Sequence, residues 1–326
     1  TIQAAVNQTV DGDTVIVTNG VYNVGATPTP GYAVSNRVAI SRPITVRSLN
    51  GATATVIEGS GVGTYGTARA TRCVLMSNGV LDGFTLRGGV THPHTSYENN
   101  YDKSGGGVCM FDCVAGTQVR NCIIRDCKAY DGGGAHSGTL INCLLFGNSA
   151  QYGGGAYRVS LFNCTLSQNS ASWFGGGVVH SAATNSICYG NSDNSTGNHN
   201  ASTFGFSCSS PLPTGAGNIN TAPQFVDATT KDFHLQDESP CRNSGNNGFV
   251  NTLTDLAGRI RISNGTVDMG AYEYQQIVTC TVSFNAGVVV SPSSLTVTNG
   301  LPYGELPTPV RAGYTFGAWQ ATTGGV

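Results

Sequence analysis

One phrase returns along residues 119–193: Asn-Cys, a short apolar run, Asn-Ser-Ala, then a glycine triplet. Aligned on the asparagine, the copies are VRNCIIRDCKA (119–129), LINCLLFGNSA (140–150), LFNCTLSQNSA (161–171) and ATNSICYGNSD (183–193). The anchors Asn121, Asn142, Asn163 and Asn185 are 21, 21 and 22 residues apart. Glycine triplets begin at 105, 132, 153 and 175, spaced 27, 21 and 22, the longer interval carrying the extra residues CMFDCVAGTQ. A weaker copy, VLDGFTLRGG (80–89), puts Asp82 in the asparagine place. Self-similarity at such a period is the mark of a solenoid. One unit cannot bury its own apolar face and needs near copies above and below.

No window in the repeat shows apolar residues at helical spacing over ten or more positions. Each unit instead has short apolar pieces broken by Gly and Asn, which are strand and turn signals. Three short strands and three bends fit in one unit, so each is read as one coil of a parallel β-helix of 21–22 residues per coil. Coils then stack about 4.8 Å apart and every repeated position becomes a column. Val119, Leu140, Leu161 and Ala183 are expected inside, as are Cys122, Cys143, Cys164 and Ser186, and Ile124, Leu145, Leu166 and Cys188. Ala129, Ala150 and Ala171 are expected to fill a tight corner. Asn121, Asn142, Asn163 and Asn185 are expected at a bend, where Asn tolerates left-handed geometry and its amide can bond from coil to coil. The stacked thiols are read as buried and free, because in-register stacking gives the wrong dihedral for a disulfide.

Only 10% of the 326 residues are charged, against roughly 25% in an average soluble domain. The formal net charge is -2, with no basic excess to hold nucleic-acid phosphates. No run approaches the roughly 18 apolar residues that span a bilayer. Eleven cysteines occur without a Cys-x-x-Cys pair, which argues against zinc ribbons. Cys208 and Cys241 lie outside the columns and are the expected disulfide.

Residues 1–24 are read as an N-terminal cap and first coil, from amphipathic Ile2, Ala5 and Val6 through Asp11-Gly12-Asp13 to alternating Val15 and Val17. Regular coils occupy 105–193, and 205–275 reads as irregular closing coils. Composition shifts at Gln275-Gln276, and 279–326 reads as a separate small β module with Tyr303, Tyr314, Phe316 and Trp319. Both termini read as cut, which leaves room for a leader or an anchor outside these residues.

Several stretches carry a family likeness. TIQAAVNQ…DGDTVIVTNGVY resembles the first coil of pectin-lyase-like right-handed parallel β-helix proteins. GGGAY…NCTLSQNSA is similar to the repeats of bacterial surface β-helix proteins, including polymorphic outer-membrane-protein-like sequences. FHLQDESPCRNSGNN…TDLAGRIRISNGTVDMGAYEY resembles the choice-of-anchor segment that ends many of them. Residues 282–320 are similar to the internalin-type B-repeat (Listeria–Bacteroides repeat), a β-grasp-like module. The resemblance implies an all-β fold, a right-handed parallel β-helix with a small β-grasp-like module, and a bacterial extracellular or cell-surface setting. It fixes no activity, because such scaffolds serve lyases, hydrolases, adhesins and structural proteins alike.

Lyases of this fold class use an acidic cluster with Ca²⁺ and a Lys or Arg base. Here Asp112, Asp126 and Asp131 are isolated, no column stacks carboxylates, and no cofactor or metal is expected, Ca²⁺ being the one left open. Asp255, Asp268 and Glu273 form a conceivable late ion site. The chemically dense stretch is THPHTSYENNYDKSGGG (91–107), with His92, His94, Tyr97, Glu98, Tyr101, Asp102 and Lys103. Long insertions on a regular scaffold are where function concentrates. His92, His94, Tyr101, Asp102 and Lys103 are the catalytic candidates, and a ligand contact or a purely structural loop are the other readings. Tyr130, Tyr152, Tyr157, Trp173 and Phe174, around the triplets, either platform sugar rings or seal a corner. Two functions follow: a structural or adhesive surface solenoid that binds a glycan or neighbouring surface protein, or a carbohydrate-active enzyme, foremost a polysaccharide lyase or glycoside hydrolase, using the 91–107 loop. Self-assembly into a homo-oligomer or filament is a third.

Overall fold

The computed structural model describes residues 1–60, 70–91, 100–195, 197–276, 279–298 and 305–320. It divides into two compact units, Thr1–Tyr274 and Gln275–Val326. The first is a right-handed parallel β-helix. Three eight-stranded sheets run its length, and the chain visits them in the same order in every coil. The first sheet contains Thr14–Val17, Thr45–Ser48, Val80–Asp82, Gln118–Arg120, Thr139–Ile141, Ser160–Phe162, Ala182–Thr184 and Thr203–Gly205. The second begins with Gly20–Tyr22 and ends with Cys208–Ser209, and the third runs from Thr27–Pro28 to His199–Asn200. Neighbours in these sheets are parallel except Thr27–Pro28 against Ser35–Ile40. Crossovers between parallel neighbours are right-handed, which sets the hand of the coil.

The repeat maps onto this register residue by residue. Val119 pairs with Leu140, Leu140 with Leu161 and Leu161 with Ala183. Ile124, Leu145, Leu166 and Cys188 form the equivalent run in the second sheet. These side chains are buried in one continuous core, and each Leu or Ile taken out of water stabilises by roughly 1.5–3 kcal/mol.

The bend between the first and second sheets is made by Asn121, Asn142, Asn163 and Asn185, whose φ values are 52°, 56°, 52° and 50°. This left-handed geometry is available to Asn at low cost. Their amides do not form one uniform chain. Asn121 donates to Asp82 (2.8 Å) and Asn142 to Asn121 (3.2 Å), whereas Asn185 exchanges two bonds with the backbone of Asn246. The continuous amide chain is a different one. Nδ2 of Asn148 donates to Oδ1 of Asn169 (2.9 Å), Asn169 to Asn191 (2.9 Å) and Asn191 to Asn198 (3.0 Å). Each Oδ1 also accepts the backbone N–H of the preceding member, and all four residues are buried. The signal was the asparagine of Asn-Ser-Ala, which recurs with the same period.

The column that follows the bend has a shared task. Its side-chain heteroatom accepts a backbone N–H from the coil before: Phe84 N to Cys122 Sγ (3.3 Å), Cys143 N to Cys164 Sγ (3.5 Å), Cys164 N to Ser186 Oγ (3.1 Å) and Ser186 N to Ser207 Oγ (3.0 Å). Cys and Ser interchange because both present one acceptor at this point. Burial pushes the Cys122 thiol up to about 12 and raises Cys143 strongly. Such thiols stay protonated and unreactive.

The glycine triplets are required sterically. Gly153 has a φ of 63°, and a Cβ on Gly154 would lie 2.2 Å from the Ser170 carbonyl. A side chain there cannot coexist with the coil above.

At the N-terminal end, the helix Ile2–Val6 buries Ile2 and Val6, with the Thr1 hydroxyl accepting from Ala4 N (3.2 Å) as its N-cap. At the other end, residues 210–219 fold back over the last coil, Ser209 N donating to Ile219 O and Ile219 N to Ser207 O. The chain then returns along the flank, where Gly270 N donates to Asn185 O and Ala271 N to Thr165 Oγ1. A small second core forms from Ile187, Cys208, Leu235, Cys241 and Met269.

The second unit contains, among its described residues, the antiparallel pair Thr279–Ser283 and Ser294–Thr298. Trp319 packs on Phe284 and Phe316, and its indole donates to Pro307 O (2.8 Å).

Candidate functional site

Register places two aromatic columns beside the third sheet. In the first, Tyr32 meets Tyr101 (4.8 Å between ring centres), Tyr101 meets Phe111 (5.2 Å), Phe111 meets His136 (5.7 Å), His136 stacks on Tyr157 (5.3 Å), and Tyr157 meets His180 edge-on (5.6 Å). His136 is only 3% exposed, and its pKa is lowered to about 3 by burial and then by Arg158, Arg72 and Lys103. It is therefore a neutral packing ring near pH 7, its Nδ1 paired with Ser137 Oγ (3.0 Å). The column ends in a cavity of about 590 Å³ bounded by Tyr32, Tyr101, Phe111, Gln3, Asn7 and Arg42, among others.

The second column holds Tyr130, Tyr152, Trp173 and Phe174. Tyr152 lies 5.8 Å from Tyr130, 5.2 Å from Trp173 and 6.2 Å from Phe174. Trp173 and Phe174 are 50% and 41% exposed. Tyr152, Trp173 and Phe174 come from the paired segments Ser149–Tyr152 and Ser170–Phe174 and Tyr130 from the coil before, each placed just ahead of a glycine triplet. Tyr157, grouped with these four at the level of sequence, belongs to the other column because it follows the triplet.

The insertion is anchored by a residue the sequence did not single out. Arg72 is fully buried. Its guanidinium donates to Asn36 Oδ1 (2.7 Å), to the carbonyls of Ser104 (2.9 Å) and Gly105 (2.9 Å), and to Tyr101 O. An Arg among small apolar strand residues was the only hint. Burial lowers its pKa, and the bonds to these four acceptors are what hold the charge.

Of the catalytic candidates, His92 and His94 lie outside the described residues, as do Tyr97 and Glu98. The other three do not converge. Tyr101 places its ring between Tyr32 and Phe111 and donates to Phe111 O (3.1 Å). Both lone pairs of Asp102 Oδ1 are taken by the N–H groups of Ala33 and Val34 (2.8 Å each). Lys103 pairs with Asp131 (3.5 Å) and lies over the Tyr130 ring at 5.1 Å.

Asp255, Asp268 and Glu273 do come together, but as a backbone knot. Their six oxygens accept from the backbone N–H groups of Arg259, Glu273, Asn243, Tyr274, Ser263 and Asp268. Buried Arg261 sits among them. Burial and the Asp268 charge raise Glu273 to about 7. Among the described residues no three His, Cys, Asp or Glu side chains are arranged to hold a metal ion. A further cleft of about 470 Å³ lies between the asparagine bend and this knot, with His234 on its wall. His234 Nδ1 bonds Asp232 (2.6 Å) and its ring stacks on Tyr272 at 3.9 Å.

Cys208 and Cys241, the pair expected to form a disulfide, are buried thiols of the same small core, and Cys208 Sγ donates to Thr221 O (3.3 Å).

No family model matches this sequence, and no curated protein does. Among solved structures, the pectate lyase Pel9A is similar, at a TM-score of 0.41 and 13% identity over 83% of this chain and 90% of that chain. No described helix is long and apolar enough to cross a membrane.

Proposed function

We propose that this chain is an exported structural or adhesive β-solenoid that holds glycan chains on the aromatic face beside its third sheet. The second column carries the reading: Trp173 and Phe174, neighbours in one strand, are exposed, and Tyr152 and Tyr130 of the two preceding coils continue the run of rings. A coil rise of about 4.8 Å is close to the length of one sugar ring in an extended polysaccharide. Rings from three successive coils, with centres 5.2–6.2 Å apart, thus offer apolar faces at about the spacing of successive sugars. The candidates for acid–base work that are described are each committed to packing or to backbone bonds, which favours holding over cleaving.

The experiment is a glycan array and affinity electrophoresis with neutral and acidic polysaccharides, on the wild type and on Trp173→Ala/Phe174→Ala. Two lost stacking contacts, at roughly 0.5–1.5 kcal/mol each, weaken retention about tenfold. Unchanged retention in the double variant refutes the site. Release of unsaturated or hydrolysed sugars by the wild type, abolished by Lys103→Ala, refutes the non-enzymatic reading. Light scattering tests the associated expectation of self-assembly.

A further inference from the structure

The outward position of the third sheet that carries Tyr157 and His136 continues by register to Cys109, Leu75 and Ala39. Toward the N-terminal end the rings thus give way to smaller side chains, and the cavity of about 590 Å³ is bounded by Leu75 and Ala39. Three departures from the regular coil close it. The segment 27–32 brings Tyr32, the insertion brings Tyr101, and the extra residues of the long triplet interval bring Phe111. The volume is in the roughly 300–1,000 Å³ range of small-molecule sites.

The walls are fixed by bonds within the protein. Asp102 Oδ1 accepts the N–H groups of Ala33 and Val34 (2.8 Å each), which ties the insertion to the turn that carries Tyr32. The Tyr101 hydroxyl donates to Phe111 O (3.1 Å), and Arg72 holds Tyr101 O. Gln3 is clamped on Ala39, its Oε1 accepting Ala39 N (2.6 Å) and its Nε2 donating to Ala39 O (3.3 Å). Walls already ordered lose little freedom when a ligand enters.

The lining also sets the ligand's chemistry. Arg42 is the only charged side chain on the wall among the described residues. Its Nη1 donates to Thr9 O, and its other nitrogens make no bond to a described residue, so the fork keeps donors for a carboxylate. Gln3, Thr29 and Tyr101 are already bonded inside the protein. A sugar ring here would lose water from its hydroxyls without gaining a partner for each, a cost that an aryl ring does not meet. An aryl ring gains edge and face contacts with Tyr32, Tyr101 and Phe111.

We propose that this cavity binds an aryl carboxylate of one ring, with the ring against Tyr32, Tyr101 and Phe111 and the carboxylate on Arg42. The inference stands independently of glycan binding at Trp173 and Phe174.

The test titrates the full chain with cinnamate by isothermal calorimetry, with cinnamamide and glucuronate as comparisons. Cinnamate is expected to saturate one site per chain with a Kd below about 1 mM. The neutral amide binds about tenfold more weakly or worse, because it lacks the charge-assisted bonds. Glucuronate, a carboxylate without an aryl ring, gives no measurable heat. Arg42→Gln brings cinnamate down to the level of the amide. Ser41→Glu, at an exposed position on the rim, sets a like charge beside the carboxylate and weakens cinnamate in the same direction without touching the Arg42–Thr9 bond. Absence of saturable cinnamate binding, equal affinity for acid and amide, tighter binding of glucuronate, or unchanged binding in Arg42→Gln overturns the proposal. The first three comparisons use wild-type protein, so a variant that fails to fold does not stall the test.

Discussion

Asn169→Ala isolates what the inner amide chain contributes. In the wild type, Asn169 Oδ1 accepts from Asn148 N (3.1 Å) and Asn148 Nδ2 (2.9 Å), while Nδ2 donates to Asn191 Oδ1 (2.9 Å), Leu145 O (2.9 Å) and Ser167 O (3.2 Å). Alanine removes all five bonds. Asn148 Nδ2 keeps Ile124 O and Asn191 Oδ1 keeps the Asn169 N–H, so those two groups remain satisfied. The Asn148 N–H is left without its acceptor in a fully buried place. One orphaned buried donor costs about 1–3 kcal/mol, and the other four bonds roughly 0.5–1.5 kcal/mol each, giving a loss of about 3–9 kcal/mol. Asn163→Gly is the matched control. Asn163 is equally buried, its amide has no partner among the described residues, and its φ of 52° suits glycine. Its cost is expected within about 1 kcal/mol, the ordinary price of backbone freedom at a glycine. Urea denaturation of the full chain, followed by circular dichroism, gives both values from midpoint and slope. Equal losses in the two variants would refute the claim that hydrogen bonding, rather than mere amide burial, holds the coils in register.

Gly154→Ala forces a Cβ to 2.2 Å from Ser170 O and is expected to destabilise by about 3 kcal/mol, as overpacking against backbone does; thermal melting that shows under about 1 kcal/mol contradicts the steric account. Folded Glu273, raised to about 7 by burial and Asp268, binds its proton more tightly than the unfolded chain does. Its stabilising contribution is therefore present at acidic pH and is lost as pH rises from the usual carboxylate range through about 7. Melting temperatures from about pH 5 to pH 8 should fall more steeply in the wild type than in Glu273→Gln, and parallel profiles count against a raised Glu273.

The solenoid was legible because its register is written as a period. A strand that must lie on its own copy repeats its inward letters, and Leu140, Leu161 and their neighbours do so. The choice of asparagine column was less legible. Both Asn121-type and Asn148-type positions recur at the same interval, and only the inward direction of the second makes it the continuous chain. The aromatic face was half legible: Tyr130, Tyr152, Trp173 and Phe174 group together, but Tyr157 falls across the turn. Arg72 was invisible because its partners are carbonyls 29 or more residues away, and no local pattern encodes them. Asp255, Asp268 and Glu273 were read as an ion site from residue type alone. Their oxygens are occupied by N–H groups, which sequence does not display.

Because Asn142 and Asn163 hold the same place in successive turns, excising 142–162 would join Ile141 to Asn163, a splice that mirrors the existing Phe162–Asn163 link. Within the three sheets the cross-section would be kept, and each strand would meet the equivalent strand of the next coil. Extent along the axis is thus graduated in increments of about 4.8 Å. Such a body can be lengthened or shortened by duplication or loss of whole turns, while a deletion of any other size would misplace every letter beyond it.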